Sequence, residues 1–158
     1  MAIYMKFGKV DGAVATSGFV KWIELNSFQW AVHRSVTSGA GGKARESSAP
    51  NISEIVVTKY LDSSSTKLYQ DAVAGTFDTK VEIRLTTTTK DKVETYLAYE
   101  FENCGVSSYS INSGGDKPTE SLSLNFLRVT YTPSPLDKSG RVKKGDVVYY
   151  DLLKMKAG

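Results

Sequence analysis

Few side chains in this sequence could perform covalent chemistry, and none stands in a pattern that would. Cys104 is the only cysteine and His33 the only histidine. A hydrolytic nucleophile needs a histidine base held by a carboxylate. His33 instead borders a Gly/Ser-rich stretch, and the chain has no nucleophile-elbow pattern. Cys104 falls in an apolar-rich strand candidate, where a free thiol packs as a small hydrophobe. One cysteine and one histidine cannot build a zinc site, so no metal and no cofactor is expected. Glu54, Glu82, Glu100 and Glu102 fall on alternating faces of strand candidates. Two of them facing each other could act as a glycosidase acid and base, but solvated strand faces carry such residues routinely. The glycines of GAGG (Gly39, Gly41, Gly42) are followed by KARESSAPN, not by the helix start a phosphate loop requires. The chain is therefore expected not to be an enzyme.

Binding chemistry is the next possibility. Trp22, Phe28, Trp30 and Tyr99 could stack bases on a barrel face, yet aromatics at strand spacing more often form core. The net charge is only +3, and lysine and arginine are spread along the chain. The densest basic run, KSGRVKK from Lys138 to Lys144, reads as a solvated loop or a subunit contact. No nucleic-acid partner is expected.

The elements that would position these residues are mostly strands, because period-two alternation dominates. Strands are expected from Ile3 to Phe7, Phe19 to Val32, Ile52 to Leu61, Lys80 to Thr89, Val93 to Ile111, Glu120 to Thr132 and Val147 to Met155. Neither face of FVKWIELNSFQWAV is purely apolar, so that strand should bend or change partners midway. Gly105 is expected to bend the longest one. One short helix is expected from about Thr66 to Ala74. Ser63, Ser64 and Ser65 offer N-cap oxygens, Leu68, Ala72 and Val73 recur at helical spacing, and Gly75 supplies a left-handed stop.

The stretch from Ser35 to Asn51 has no periodicity and is long for an internal loop. With 158 residues, the chain suits one domain spanning 1–158 that buries roughly 68–70% of its unfolded surface. The fold class expected is mainly β: a compact β-barrel or closed sandwich of antiparallel strands, with one helix and one long extended loop. No run approaches the length of a membrane span. The first residues, MAIYMKFGKVDG, lack a signal-peptide pattern.

Three stretches together resemble one family. The first is the opening, with Trp22, Ile23, Glu24, Leu25, Asn26, Ser27, Phe28, Gln29 and Trp30 in a W-I-E-x-x-S-[FW]-x-W-like pattern. The second is TKYLDSSSTKLYQDAVAG, in which Thr58, Lys59, Asp62, Ser65, Leu68, Ala72 and Gly75 match a T-K-x-x-D-x-x-S-x-x-L-x-x-x-A-x-x-G signature; Thr66 stands where many members have Pro. The third is VSSYSINSGGDKPTESLSLNFLRVTYTP, a hairpin with a Gly-rich turn. In order and spacing they are similar to the Hcp tube proteins of bacterial type VI secretion.

The resemblance implies a β-barrel subunit that forms hexameric rings. These stack into a tube inside a contractile sheath and beneath a spike, and some carry small effector proteins. It implies assembly in the cytoplasm and then secretion without a cleaved signal peptide. A ring presents two different complementary faces on each subunit. Ser27 and Gln29 are the candidates for the lumen wall if Trp22, Phe28 and Trp30 point into the barrel. The loop residues Gly39, Gly41, Gly42, Lys43, Arg45 and Glu46 are the candidates for contacts between subunits or rings. Two readings compete: a monomeric ligand- or glycan-binding barrel, and a nucleic-acid-binding barrel of the OB kind.

Overall fold

The structure, a computed structural model, describes residues 1–37 and 46–158, with only the backbone described for Glu46. Its strands are β1 (Ala2–Phe7), β2 (Ile23–Leu25), β3 (Ser27–Gln29), β4 (Val32–His33), β5 (Val36–Thr37), β6 (Glu46–Ser47), β7 (Asn51–Ile52), β8 (Ile55–Tyr60), β9 (Thr79–Thr89), β10 (Lys92–Asn112), β11 (Thr119–Asn125), β12 (Arg128–Pro133), β13 (Val148–Asp151) and β14 (Lys156–Ala157). The helix α1 (Ser65–Ala74) joins β8 to β9. Two antiparallel layers result. Sheet A runs β2-β1-β9-β10-β12-β13-β14, and sheet B runs β10-β11-β8-β3. The mainly-β, antiparallel, one-helix architecture is the one expected. The expected closure is not found: among the described residues no ladder joins the outer strands of the two sheets, which remain an open sandwich.

Two corners carry the chain from one sheet to the other. The first is in β10, which pairs with β12 over Leu97 to Glu102 and with β11 over Gly105 to Asn112. Between these, the register with β9 slips from Phe101 to Cys104, and Asn103 takes a φ of 50°. This is a bulge, which bends a strand and increases its twist. The bend therefore belongs to Asn103 rather than to Gly105. Gly105 serves close approach instead, since a Cβ there would lie 2.8 Å from the Phe77 ring.

The second corner divides the strand expected from Phe19 to Val32. Gly18 and Lys21 have φ of 85° and 65°, which keeps 18–22 in turns. Ile23–Leu25 then pairs with β1, and Ser27–Gln29 pairs with β8. The expected change of partner is found, and its cause is parity. Ile23 and Leu25 bury odd positions, whereas Phe28 and Trp30 pack on the core from even ones. A continuous strand would send one pair to solvent. Asn26 absorbs the mismatch and ties the corner down, its amide donating to the Thr58 carbonyl at 2.7 Å.

The core lies between the sheets. Met5, Ile23, Val81 and Phe101 from sheet A meet Ile55, Val57, Leu122 and Leu124 from sheet B. Val81 and Ile83 fill it as alternation predicts, and so do Leu122, Leu124 and Phe126. The expected apolar row Leu127, Val129, Tyr131 splits, because Leu127 sits in the connection between β11 and β12 and is exposed. Helix α1 docks through Leu68, which is fully buried and contributes about 1.5–3 kcal/mol. Val73, expected on the same face, points to solvent.

Gly75 ends the helix as expected, with φ 65° and its amide on the Asp71 carbonyl at 3.0 Å. The helix start differs from expectation. Ser64 holds the cap position but makes no side-chain cap bond. Asp62 organises the turn instead, its Oδ1 accepting from the Ser64 amide at 2.8 Å and from the Ser64 hydroxyl.

The stretch from Ser35 to Asn51 is not structureless along its described flanks. β4 pairs with β7 and β5 with β6, so the described flanks 32–37 and 46–52 run antiparallel to each other.

Candidate functional site: an uncharged sheet face over a buried charge network

Alternation sends every second residue of sheet B outward. The cross-strand register aligns Ser27, Thr58, Ser121 and Ser110 in one row, and Gln29, Val56, Ser123 and Ser108 in the next. Tyr60, Thr119 and Asn112 form a third. None of these side chains is charged, and all are exposed or half-buried. Ser27 and Thr58 join hydroxyls across the β3–β8 ladder. Glu54 lies at the edge of this face, accepting from Ser107 Oγ at 2.9 Å and Asn125 Nδ2 at 3.2 Å. Lys117 covers the far end, 4.9 Å from the Tyr60 ring centroid. The two lumen candidates, Ser27 and Gln29, thus lie on one continuous hydroxyl and amide surface. The sequence reading missed the rest of it, although S-L-S-L in β11 and S-S-Y-S in β10 place serines at the same parity.

The opposite side of the same strands carries charge. Lys59, one residue from Thr58, is fully buried, and so is Glu120 of β11. Their Nζ and Oε2 lie 2.7 Å apart. Lys59 also reaches Asp62 at 3.0 Å, the Tyr60 carbonyl at 2.9 Å and Ser65 Oγ at 3.2 Å. Tyr109 donates to Glu120 Oε1 at 2.9 Å. Burial and this bond to the carboxylate push the Tyr109 hydroxyl up to about 12.

The signature residues Lys59, Asp62 and Ser65 are therefore one cluster that fixes the helix entrance to the sheet. Leu68, Ala72 and Gly75 carry the helix itself. Glu120 and Tyr109 complete the cluster across a long sequence separation, which no local pattern announces. Buried charges persist only when paired and hydrogen-bonded, and each described partner here is satisfied.

Sheet A shows the other solution on its outer face. Lys6, Lys80, Glu82, Arg84, Glu100, Glu102 and Arg128 stand there with partial exposure, in pairs such as Lys80–Glu100 at 2.7 Å and Arg128–Glu102 at 3.5 Å. Glu100 raises the lysine pKa by hydrogen bonding and by its charge. The carboxylates weighed as an acid and base pair are thus a mixed-sign surface, with Glu54 on a different sheet. Trp22 belongs to this side as well. It packs edge-on to Phe19 at 5.1 Å and under Arg84 at 5.2 Å, so it does not point inward with Phe28 and Trp30. Those two meet Tyr99 at 5.0 and 5.5 Å.

Cys104 is fully buried, and that burial, with the Asp71 carboxylate adding to it, pushes its thiol up to about 12. Among the described residues, no three His, Cys, Asp or Glu side chains cluster to hold a metal ion. No described helix is long and apolar enough to cross a membrane. Of the loop candidates, Gly39, Gly41, Gly42, Lys43 and Arg45 lie outside the described residues. Glu46 is placed only by its backbone, in β6.

The chain is thus an open antiparallel sandwich with a mixed-charge outer face on sheet A and an uncharged one on sheet B. The comparisons give the family. The family model described as "Type VI secretion system effector, Hcp" matches residues 4–132, and the chain belongs to that family. Among solved structures, it is similar to one titled "Structure of a type six secretion system protein", at 29% identity and a TM-score of 0.91, covering 99% of each chain. It shares the fold of Hcp1 from Salmonella typhimurium at 20% identity and a TM-score of 0.75, with 100% of each chain covered. It also shares the fold of the cap that terminates the anti-feeding prophage tube, at 13% identity and a TM-score of 0.60, covering 83% of this chain and 87% of that one. A search of curated proteins returned no match.

Proposed function

We propose that this chain is the repeating subunit of a type VI secretion tube. Subunits form hexameric rings that stack, and contraction of a surrounding sheath drives the tube and its spike outward. The observation that carries this reading is the uncharged outer face of sheet B, in a chain that belongs to the Hcp family. A lumen wall must let cargo pass without trapping it. Hydroxyl and amide groups offer weak, replaceable hydrogen bonds to any polar surface, whereas fixed charges would bind one sign and repel the other. Small effector proteins would ride against this wall. The chain is made in the cytoplasm and leaves with the tube, so its role is structural rather than catalytic.

Negative-stain microscopy of the purified chain tests the reading directly. Six-fold rings with a central hole are the expected result. A monomer at all accessible concentrations, with a ligand pocket or with salt-dependent oligonucleotide binding, would overturn it. Gln29→Arg then tests the wall: rings should form, and effector retention should fall. Unchanged retention would remove Ser27 and Gln29 from the lumen.

A further inference from the structure

Among the described residues, one buried side-chain polar atom has no hydrogen-bond partner: Trp30 Nε1. Burying a donor without an acceptor is costly, so this N–H points to a group that the described chain does not supply. Trp30 directly follows β3. It lines a cleft of about 340 Å³ with Tyr99, Val129, Tyr131, Val148 and Tyr150. Strands β10, β12 and β13 therefore build the other walls.

The walls define what the cleft would take. Trp30 stands edge-on to Tyr99 at 5.5 Å, and Tyr131 lies tilted against the same ring at 5.4 Å. Rings set in this way favour a flat aromatic guest, through offset stacking or edge contact. None of the lining residues is charged. Burying a charge without a partner is prohibitive, so the guest is neutral. The volume lies at the low end for small-molecule sites, which run from about 300 to 1,000 Å³. It suits one or two fused rings. It does not suit a folded partner, whose interface takes about 20–30 residues on each side.

We propose that this cleft is a binding site for a small, neutral, planar aromatic molecule, held against the tyrosines with one acceptor atom on Trp30 Nε1. The site lies within one copy of the chain and does not rest on the tube reading. If both hold, each subunit of an expelled ring takes one such molecule out with it. A guest that binds only the folded chain also stabilises it by mass action.

Quinoline and naphthalene test this, because they match in size and shape and differ in one acceptor nitrogen. The full chain with Trp22→Phe keeps Trp30 as its only tryptophan. Isotopic labelling of the indole nitrogen then gives a single side-chain N–H resonance. Quinoline should move that resonance downfield and saturate below about 1 mM. Naphthalene should bind without the downfield move. Trp30→Phe keeps a ring in the wall but removes the N–H. Followed through the guests' own signals, it should weaken quinoline about five- to tenfold and naphthalene by no more than about twofold, and that difference isolates the hydrogen bond. Val148 is 46% exposed, so Val148→Arg crowds the cleft from its open side and should abolish binding of both guests. Should Trp30→Phe fail to fold, the downfield shift and Val148→Arg decide. The site is wrong if neither guest saturates, if Val148→Arg binds both as the parent does, or if Trp30→Phe weakens both equally. None of these outcomes bears on ring formation, which microscopy reads separately.

Discussion

The outer faces of sheets A and B are built from equally regular antiparallel strands, yet they carry opposite chemistry. Sheet A displays lysines, arginines and glutamates in mixed-sign pairs. Sheet B displays serine, threonine, glutamine and asparagine, and places its lysine and glutamate on the inner side. Solubility alone would be served by charge on both faces. Sheet B instead withholds charge from its outer face while β8 buries an ion pair one residue away. The difference also predicts where the chain is fragile. Exposed pairs on sheet A cost little to lose, and the buried pair behind sheet B costs much.

The largest effect should come from that pair. Lys59→Met leaves the buried Glu120 carboxyl without its lysine partner, a loss of about 3–5 kcal/mol in urea unfolding. Lys59→Met with Glu120→Leu should recover part of it. A cost as small as that of a surface pair would mean that the network does not hold α1 to the sheet.

Next comes the contrast between the faces themselves. Ser121→Arg on sheet B and Thr130→Arg on sheet A both point outward, so each should change monomer stability by no more than about 0.5 kcal/mol. Only Ser121→Arg should impair ring formation or cargo retention. Equal behaviour of the two would remove the distinction between the faces.

Cys104 offers a smaller and pH-dependent effect. Its thiol is held at about 12 in the folded chain against an ordinary 9.0. The folded state thus keeps a proton that the unfolded state loses above pH 9, and stability falls as pH rises from there toward 12. Thiol-reagent labelling at pH 8 should be slow in native protein and fast in urea. Rapid labelling of the native chain would show that the β9–β10 bulge opens readily.

Least affected should be Lys80→Ala, which breaks the exposed pair with Glu100 and should cost less than about 1 kcal/mol, with the difference vanishing at high salt.

Much of the fold was legible because it is local. Alternation located β1, β9, β10 and the end of β8 to within a residue or two, but the single strand expected from Glu120 to Thr132 is two, β11 and β12, because the chain turns at Phe126 and Leu127. Gly75 marked the helix end, where a left-handed φ is cheap only without a Cβ. The change of partner inside FVKWIELNSFQWAV was legible as a shift in the parity of its apolar residues, although the position of the break at Asn26 was not. The candidate site was legible only in fragments. Ser27 and Gln29 pointed to a face, but its other rows come from β8, β10 and β11. Serines alternating with leucines look the same on any strand until the register is known.

By itself, then, the order of residues determined the strand periodicity, the short helix and the family resemblance. Those properties depend on neighbours a few positions apart. Tertiary structure alone decided that Lys59 meets Glu120 across 61 positions, that Asn103 rather than Gly105 turns β10, that Trp22 lies outside while Trp30 lies within, and that the sandwich stays open. Each depends on which strands become neighbours and in which register. A shift of one residue would have exchanged the hydroxyl face of sheet B for its buried one.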